Sequence, residues 1–270
     1  MPKPTRHSKF VINPDYDEEG EFANTINKAR EFLNNELIEV DKIEDVTLQL
    51  ICIFSLIDRL AQEQAGYPSR RFQEVFCQFV LKHQKQCDYM ESVEPITLYY
   101  RVEDLIEEVQ LLPNSPLEKE ISLDSLGYLS ATPIKDVLSK NKSQEILDYI
   151  KKKKGEEYAT KLAKEHQLIS LLYRMRSKAV HEMSGLGEGA YLHNEFKPKV
   201  PYYMNVGRAY VKEGYWFYDD VDELIIPNVF LRNILADCIE GYLSDCMANN
   251  RLPFSNNHMT RKYNLSWYDK

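Results

Sequence analysis

Between Ile43 and Gln64 the chain places Leu48, Leu50, Ile51, Ile53, Phe54, Leu56, Ile57 and Leu60 around almost the whole circumference of a helix. A helix that is apolar on nearly all sides is stable only with other elements packed around it. This segment is therefore expected at the centre of a helical assembly. Its most apolar stretch, 48–57, is interrupted by Gln49 and Ser55 and stopped by Asp58. It is too short for a membrane span, which takes about 20 apolar residues.

The flanking sequence supplies partners for such a helix. Apolar residues at helical spacing predict helices over about 22–40, 69–86 and 95–111. The 69–86 segment has Phe72, Val75, Phe76, Phe79 and Val80 on one face. Gly66-Tyr67-Pro68 ends the central helix, and Pro113 and Pro116 end the 95–111 helix. The 117–142 stretch reads as a loop with one short helix from Pro133, a residue suited to a first helical turn. Ser143 suits the N-cap of a helix through Ile150. Lys151 to Lys154, closed by Gly155, reads as a solvated helix end whose charge suits the macrodipole.

One long helix is expected over 156–183, stopped by Gly185, Gly187 and Gly189. Four short β-like segments follow, 202–206, 208–212, 215–218 and 223–226, divided by Gly207 and Gly214 among others. The last helix begins near Pro227, with Phe230, Ile234, Cys238, Tyr242 and Cys246 on one stripe. The fold class is thus mainly α: a helical bundle with a small β-hairpin or meander at about 200–226, before the last long helix. A polar arm (1–21), a helical domain (22–250) and an irregular tail (251–270) complete the organisation.

Composition narrows the function classes. With 43% hydrophobic and 28% charged residues the 270-residue chain is globular, not disordered. A net charge of −8 argues against a generic nucleic-acid coat, which needs clustered cations, but permits a local basic cleft. Five cysteines (Cys52, Cys77, Cys87, Cys238 and Cys246) without close pairing do not form a disulfide framework. No C-x-x-C or H-x-x-x-H pair points to zinc. No metal and no cofactor are expected, no membrane partner, and the absence of an apolar leader reads as cytoplasmic.

The chemically informative segment is Leu171-Leu-Tyr-Arg-Met-Arg-Ser-Lys-Ala-Val-His181-Glu. On a continuous helix Arg176 falls on the apolar line through Tyr158, Leu162, Ile169 and Val180. A guanidinium there needs a partner or an opening to ligand, and Asp58, near the end of the central helix, is one candidate partner. Arg174 and His181 lie on another side, nearly aligned. His181 also occupies the last turn, where the helix dipole favours a cation. Two readings stand: a structural Arg176 ion pair with a helix-end histidine, or a cleft lined by both. In the second, the arginine fork would bind phosphate oxygens and the histidine would move protons, which suits phosphodiester cleavage.

The segment Tyr173-Arg-Met-Arg-Ser-Lys-Ala-Val-His181-Glu resembles the Arg-x4–6-His motif of the HEPN superfamily of helical proteins. The order of elements, with the motif late in the chain before a last amphipathic helix, is also similar. The resemblance implies a homodimer with two motifs facing each other. It implies an endoribonuclease that needs no metal, of the kind found in toxin–antitoxin, CRISPR-linked and antiviral systems, with RNA as substrate and an antitoxin or regulatory protein as a partner. Arg176 would be the motif arginine and His181 its histidine, with Arg174 as an alternative arginine. Ser177 stands where active members usually have Asn, Asp or His, so the resemblance equally covers a non-catalytic binding or regulatory module. Arg176 and His181 point about 140° apart on an ideal helix, so the helix must bend or the site must form at a groove edge or across a dimer.

Other residues carry weaker signals. His166 reads as a boundary residue and His83 as solvated. His193 is placed in a loop beyond the glycines, with reach to a site as the lesser alternative. The tyrosines from Tyr202 to Tyr218 read as a packed sheet face, with base stacking as the alternative. Gly185 to Gly189 reads as a helix stop, not a phosphate loop.

Overall fold

The computed structural model describes residues 18–66, 71–106, 132–138, 142–182, 190–193, 199–212 and 215–255. Among them the helices are α1 (Glu18–Asp41), α2 (Val46–Ala65), α3 (Phe72–His83), α4 (Pro95–Ile106), α5 (Ile134–Leu138), α6 (Lys142–Lys154), α7 (Glu156–Glu165), α8 (Leu168–Glu182) and α9 (Asn228–Ala248). The strands are β1 (Thr132–Pro133), β2 (Ala190–His193), β3 (Tyr202–Lys212) and β4 (Tyr215–Pro227). The class is mainly α, as the apolar spacing predicts.

Helix α2 packs against α1, α3, α8 and α9, the central place that its apolar circumference requires. Its start is fixed by Asp45, whose carboxylate accepts from the Leu48 N–H at 2.7 Å. Its end is fixed by Gly66, at φ +79°. A side chain at that position would be strained, which is why glycine ends the helix there. Helix α1 buries Ile26, Ala29, Leu33, Leu37 and Val40, a single stripe at helical spacing. It runs beside α9, joined by Arg30–Glu240 near the middle of both helices and by Asp41–Arg232 at the end of α1. Helix α9 contributes Phe230, Leu231, Ile234, Leu235, Cys238, Ile239, Tyr242, Leu243 and Cys246 to the same core. A smaller core lies between α4, α6 and α7, built from Leu98, Val102, Ile146, Ile150, Ala159 and Leu162.

Several sequence expectations change. The helix expected over 156–183 is two helices, broken at His166 and Gln167. The cause is a competing set of hydrogen bonds. His166 O accepts from Glu94 N at 2.8 Å, Leu168 N donates to Ser92 O at 3.1 Å, and Ile169 N donates to Met90 O at 2.9 Å. The 90–94 segment thus takes backbone groups that a continuous helix would have used. The supposed apolar line breaks with it: Tyr158 is exposed, and the buried residues of α8 are Leu168, Ile169, Leu171, Leu172, Met175 and Ala179.

The four short β segments are two long strands. They pair antiparallel from Tyr202↔Ile225 to Lys212↔Tyr215. Gly207 does not divide a strand; it pairs with Asp220 inside β3. β1 adds antiparallel to β3, and β2 adds parallel to β4, giving the order β1-β3-β4-β2. At the base of the hairpin Tyr203 and Leu224 face each other fully buried, which ties the sheet to the helical core. His193 is therefore a strand residue paired with Pro227, not a loop residue.

The expected arm and tail also shift. Helix α1 begins at Glu18, inside the span assigned to the arm. Phe254 of the tail is buried, edge-on to Phe32 with ring centroids 6.5 Å apart. Residues 1–17 and 256–270, the end of the expected 95–111 helix with its proline stop (107–116), the 117–131 part of the expected loop and the 183–189 glycine segment lie outside the described residues. No helix among the described residues is long and apolar enough to cross a membrane.

Candidate functional site

Helix α8 carries the motif, and its packing decides where each side chain goes. Burial of Leu168, Leu171, Leu172, Met175 and Ala179 turns that face to the core. Arg176 is left at the margin, against α2. Its surroundings are aromatic: the Tyr173 ring lies 5.5 Å from Phe76, which lies 6.4 Å from Phe54 of α2. The Arg176 guanidinium carbon sits 5.7 Å from the centre of the Tyr173 ring, within cation–π range.

Asp58 is the partner of Arg176. Nη2 of the arginine donates to Oδ2 of the aspartate across the α2–α8 seam. Each side chain keeps only 14% of its surface exposed. In such a site the attraction is stronger than at an open surface, but each charge has also lost most of its water. The pair is not fully satisfied: Asp58 Oδ1 and Arg176 Nε are buried with no hydrogen-bond partner among the described residues.

The second terminal nitrogen of Arg176 points elsewhere. Nη1 lies 3.3 Å from Nε2 of His181. Neither a bend in α8 nor a second subunit is needed, because the long arginine side chain spans the angle that separates the two Cα–Cβ bonds. A guanidinium can only donate. For this contact to be a hydrogen bond Nε2 has to accept, which requires the imidazole proton on Nδ1. His181 is exposed at the last turn of α8, while Arg176 and Asp58 are largely covered.

The other expected residues take distinct places. Ser177 is half-buried next to Arg176 on α8. Arg174 is half-buried and close enough to His166 to help hold that histidine below its usual range. Burial is the main cause of that shift. His166 is not a boundary residue: it is buried, with Nδ1 donating to the Leu162 carbonyl at 2.9 Å. His83 is not solvated either. It is buried beside Gln64, with Nε2 2.9 Å from that amide oxygen. Of the tyrosine-rich stretch, Tyr202 and Tyr203 are core residues and Tyr215 is exposed. Burial pushes the thiols of Cys77 and Cys87 up to about 11, so neither is a thiolate nucleophile near neutral pH. No three of His, Cys, Asp and Glu among the described residues come together in a way that could hold a metal ion.

Among the buried carboxylates that sequence reasoning missed, Glu94 is the most fully covered. Glu94 stands immediately before Pro95 and caps α4, accepting from the N–H groups of Ile96 at 2.8 Å and Thr97 at 2.6 Å. The Tyr203 hydroxyl donates to the same carboxylate. Burial pushes Glu94 up, against the pull of these donors. The signal was an acid directly before a proline at a first helical turn. Glu94 is also the residue whose N–H bonds His166 O, so it joins the sheet base, α4 and the start of α8.

No protein-family model, no curated protein and no solved structure matches this chain.

Proposed function

We propose that the chain is a HEPN-like endoribonuclease, acting without a metal on single-stranded RNA, with His181 and Arg176 as its catalytic residues. The observation that supports this reading is the exposed His181 imidazole in hydrogen-bond contact with the Arg176 guanidinium, 3.3 Å away. A histidine whose Nε2 is unprotonated can act as a general base, and an adjacent guanidinium is a site for developing phosphate charge. Entering RNA would bring its 2′-hydroxyl to Nε2 in place of Nη1. Nη1 then turns to a non-bridging phosphate oxygen. The 2′-oxygen attacks phosphorus as His181 takes its proton, and the 5′-oxygen leaves with a proton from an acid. In a homodimer that acid is the second subunit's histidine. DNA, which lacks the 2′-hydroxyl, is not cut.

A second reading is favoured by one specific observation. The Asp58–Arg176 pair is largely covered, the arrangement of a structural ion pair. On that reading the chain is a non-catalytic HEPN-like binding or regulatory module, and its surface takes a partner such as an antitoxin.

End-labelled single-stranded RNA in EDTA separates the two. Cleavage by the wild type leaving a 2′,3′-cyclic phosphate, reduced by about 10²- to 10⁴-fold in His181→Ala and also reduced in Arg176→Ala, is the expected result. No cleavage across varied RNAs, or equal cleavage by all three proteins, moves the assignment to the module.

A further inference from the structure

The two contacts of Arg176 use different nitrogens: Nη2 meets Asp58 and Nη1 meets His181. A guanidinium is planar and rigid, so holding one terminal nitrogen sets the direction of the other. The two ends of this connection differ in anchorage. Asp58 belongs to α2, whose neighbouring Phe54, Ile57 and Leu60 are fully buried, whereas His181 is exposed at a helix end. The Tyr173 ring beside the guanidinium further limits how it can swing. Position is thus fixed at the aspartate and expressed at the histidine.

We propose that Asp58 is a positioning residue for the Arg176–His181 site: it aims Nη1 of Arg176 at Nε2 of His181 and so keeps the imidazole proton on Nδ1. The kinetic consequence rests on the nuclease reading above; the tautomer consequence does not. An unrestrained neutral histidine favours the proton on Nε2, which would leave the wrong nitrogen bearing the lone pair at this face. A purely structural Asp58–Arg176 pair would add stability and leave the ring unchanged.

The test is ¹⁵N NMR of the His181 ring, recorded on the full chain with the imidazole neutral. The wild type is expected to show Nε2 unprotonated and Nδ1 protonated. In Asp58→Asn, which keeps the shape but not the charge, the population moves toward the Nε2–H form. In Arg176→Ala it moves likewise, and adding Asp58→Asn to Arg176→Ala moves it no further. An identical tautomer ratio in wild type and Asp58→Asn overturns the proposal, as does a shift that survives undiminished on the Arg176→Ala background. Should Asp58→Asn fail to fold, Asp58→Glu retains the charge but displaces the carboxylate by one methylene. A changed ratio there supports the proposal and an unchanged one overturns it. If the wild type cleaves RNA, Asp58→Asn lowers kcat on the order of 10²-fold, the cost of a small misplacement, with KM little changed. A wild type that cleaves nothing sinks the nuclease reading and leaves the NMR result to decide the role of Asp58.

Discussion

Gly241 of α9 lies so close to His83 of α3 that a Cβ placed on it would stand 2.3 Å from the ring nitrogen Nδ1. The ring cannot readily move aside. Its other nitrogen is 2.9 Å from the Gln64 amide oxygen, and the ring packs in a T-shaped contact with Phe79, centroids 4.8 Å apart. Elsewhere in a helix, glycine to alanine gains about 0.5–1 kcal/mol. Here the overpacking, about 1–3 kcal/mol, outweighs that gain. Gly241→Ala is expected to lower the free energy of unfolding, measured in urea, by a net amount of about 1–2 kcal/mol. A variant as stable as the wild type would show that α3 and α9 do not approach this closely.

Two buried histidines make stability depend on pH. Burial holds His166 and His83 below their usual range; for His83, Asp245 pulls the other way and Lys82 adds to the lowering. A histidine whose folded value is depressed contributes stability that is complete above the unfolded value of about 6.5 and drains away as pH falls through the folded value. The urea midpoint should therefore drop between about pH 7 and pH 5. Glu94, pushed up by burial, works in the opposite sense over its own range. The comparison that isolates the histidine is wild type against His166→Gln, whose midpoint should fall less over the same interval. Parallel curves for the two proteins would refute the assignment.

The Asp58–Arg176 pair yields a stability prediction independent of any activity. Removing one partner leaves a charge largely stripped of water. Breaking a buried pair costs about 3–5 kcal/mol, and the residual exposure of this one brings the expectation for Asp58→Ala to roughly 2–3 kcal/mol. Replacing both residues by apolar ones of similar size, Asp58→Leu with Arg176→Met, should recover most of the loss. Equilibrium unfolding of the two single variants and the double variant gives the coupling. Simple additivity would mean that the two side chains do not depend on each other in solution.

How much of this was legible in the residues follows from which interactions are local. The central helix was readable because its apolar circumference is a property of consecutive residues, and α9 because its stripe is regular. Asp58 could be named as one candidate partner for Arg176 because it is an acid near the end of the most apolar helical segment. The break at His166 was not readable: the apolar period runs on past it, and the groups that break the helix belong to the distant 90–94 segment. The same holds for Gly207, which looks like punctuation until its pairing with Asp220 is known, and for His83, whose burial depends on Gly241 far along the chain. The contact between Arg176 and His181 was obscured by a rule about Cα–Cβ directions that does not account for the length of an arginine.

The pairing of Asp58 with Arg176 joins positions 118 residues apart. Synthesis proceeds at about 5–20 residues per second, so α8 follows α2 by about 6–24 s. For that interval the most apolar of the described helices exists without two of the helices that cover it, α8 and α9. The growing chain therefore passes through a stage in which part of its future centre is an open greasy surface, closed only when α8 and α9 arrive.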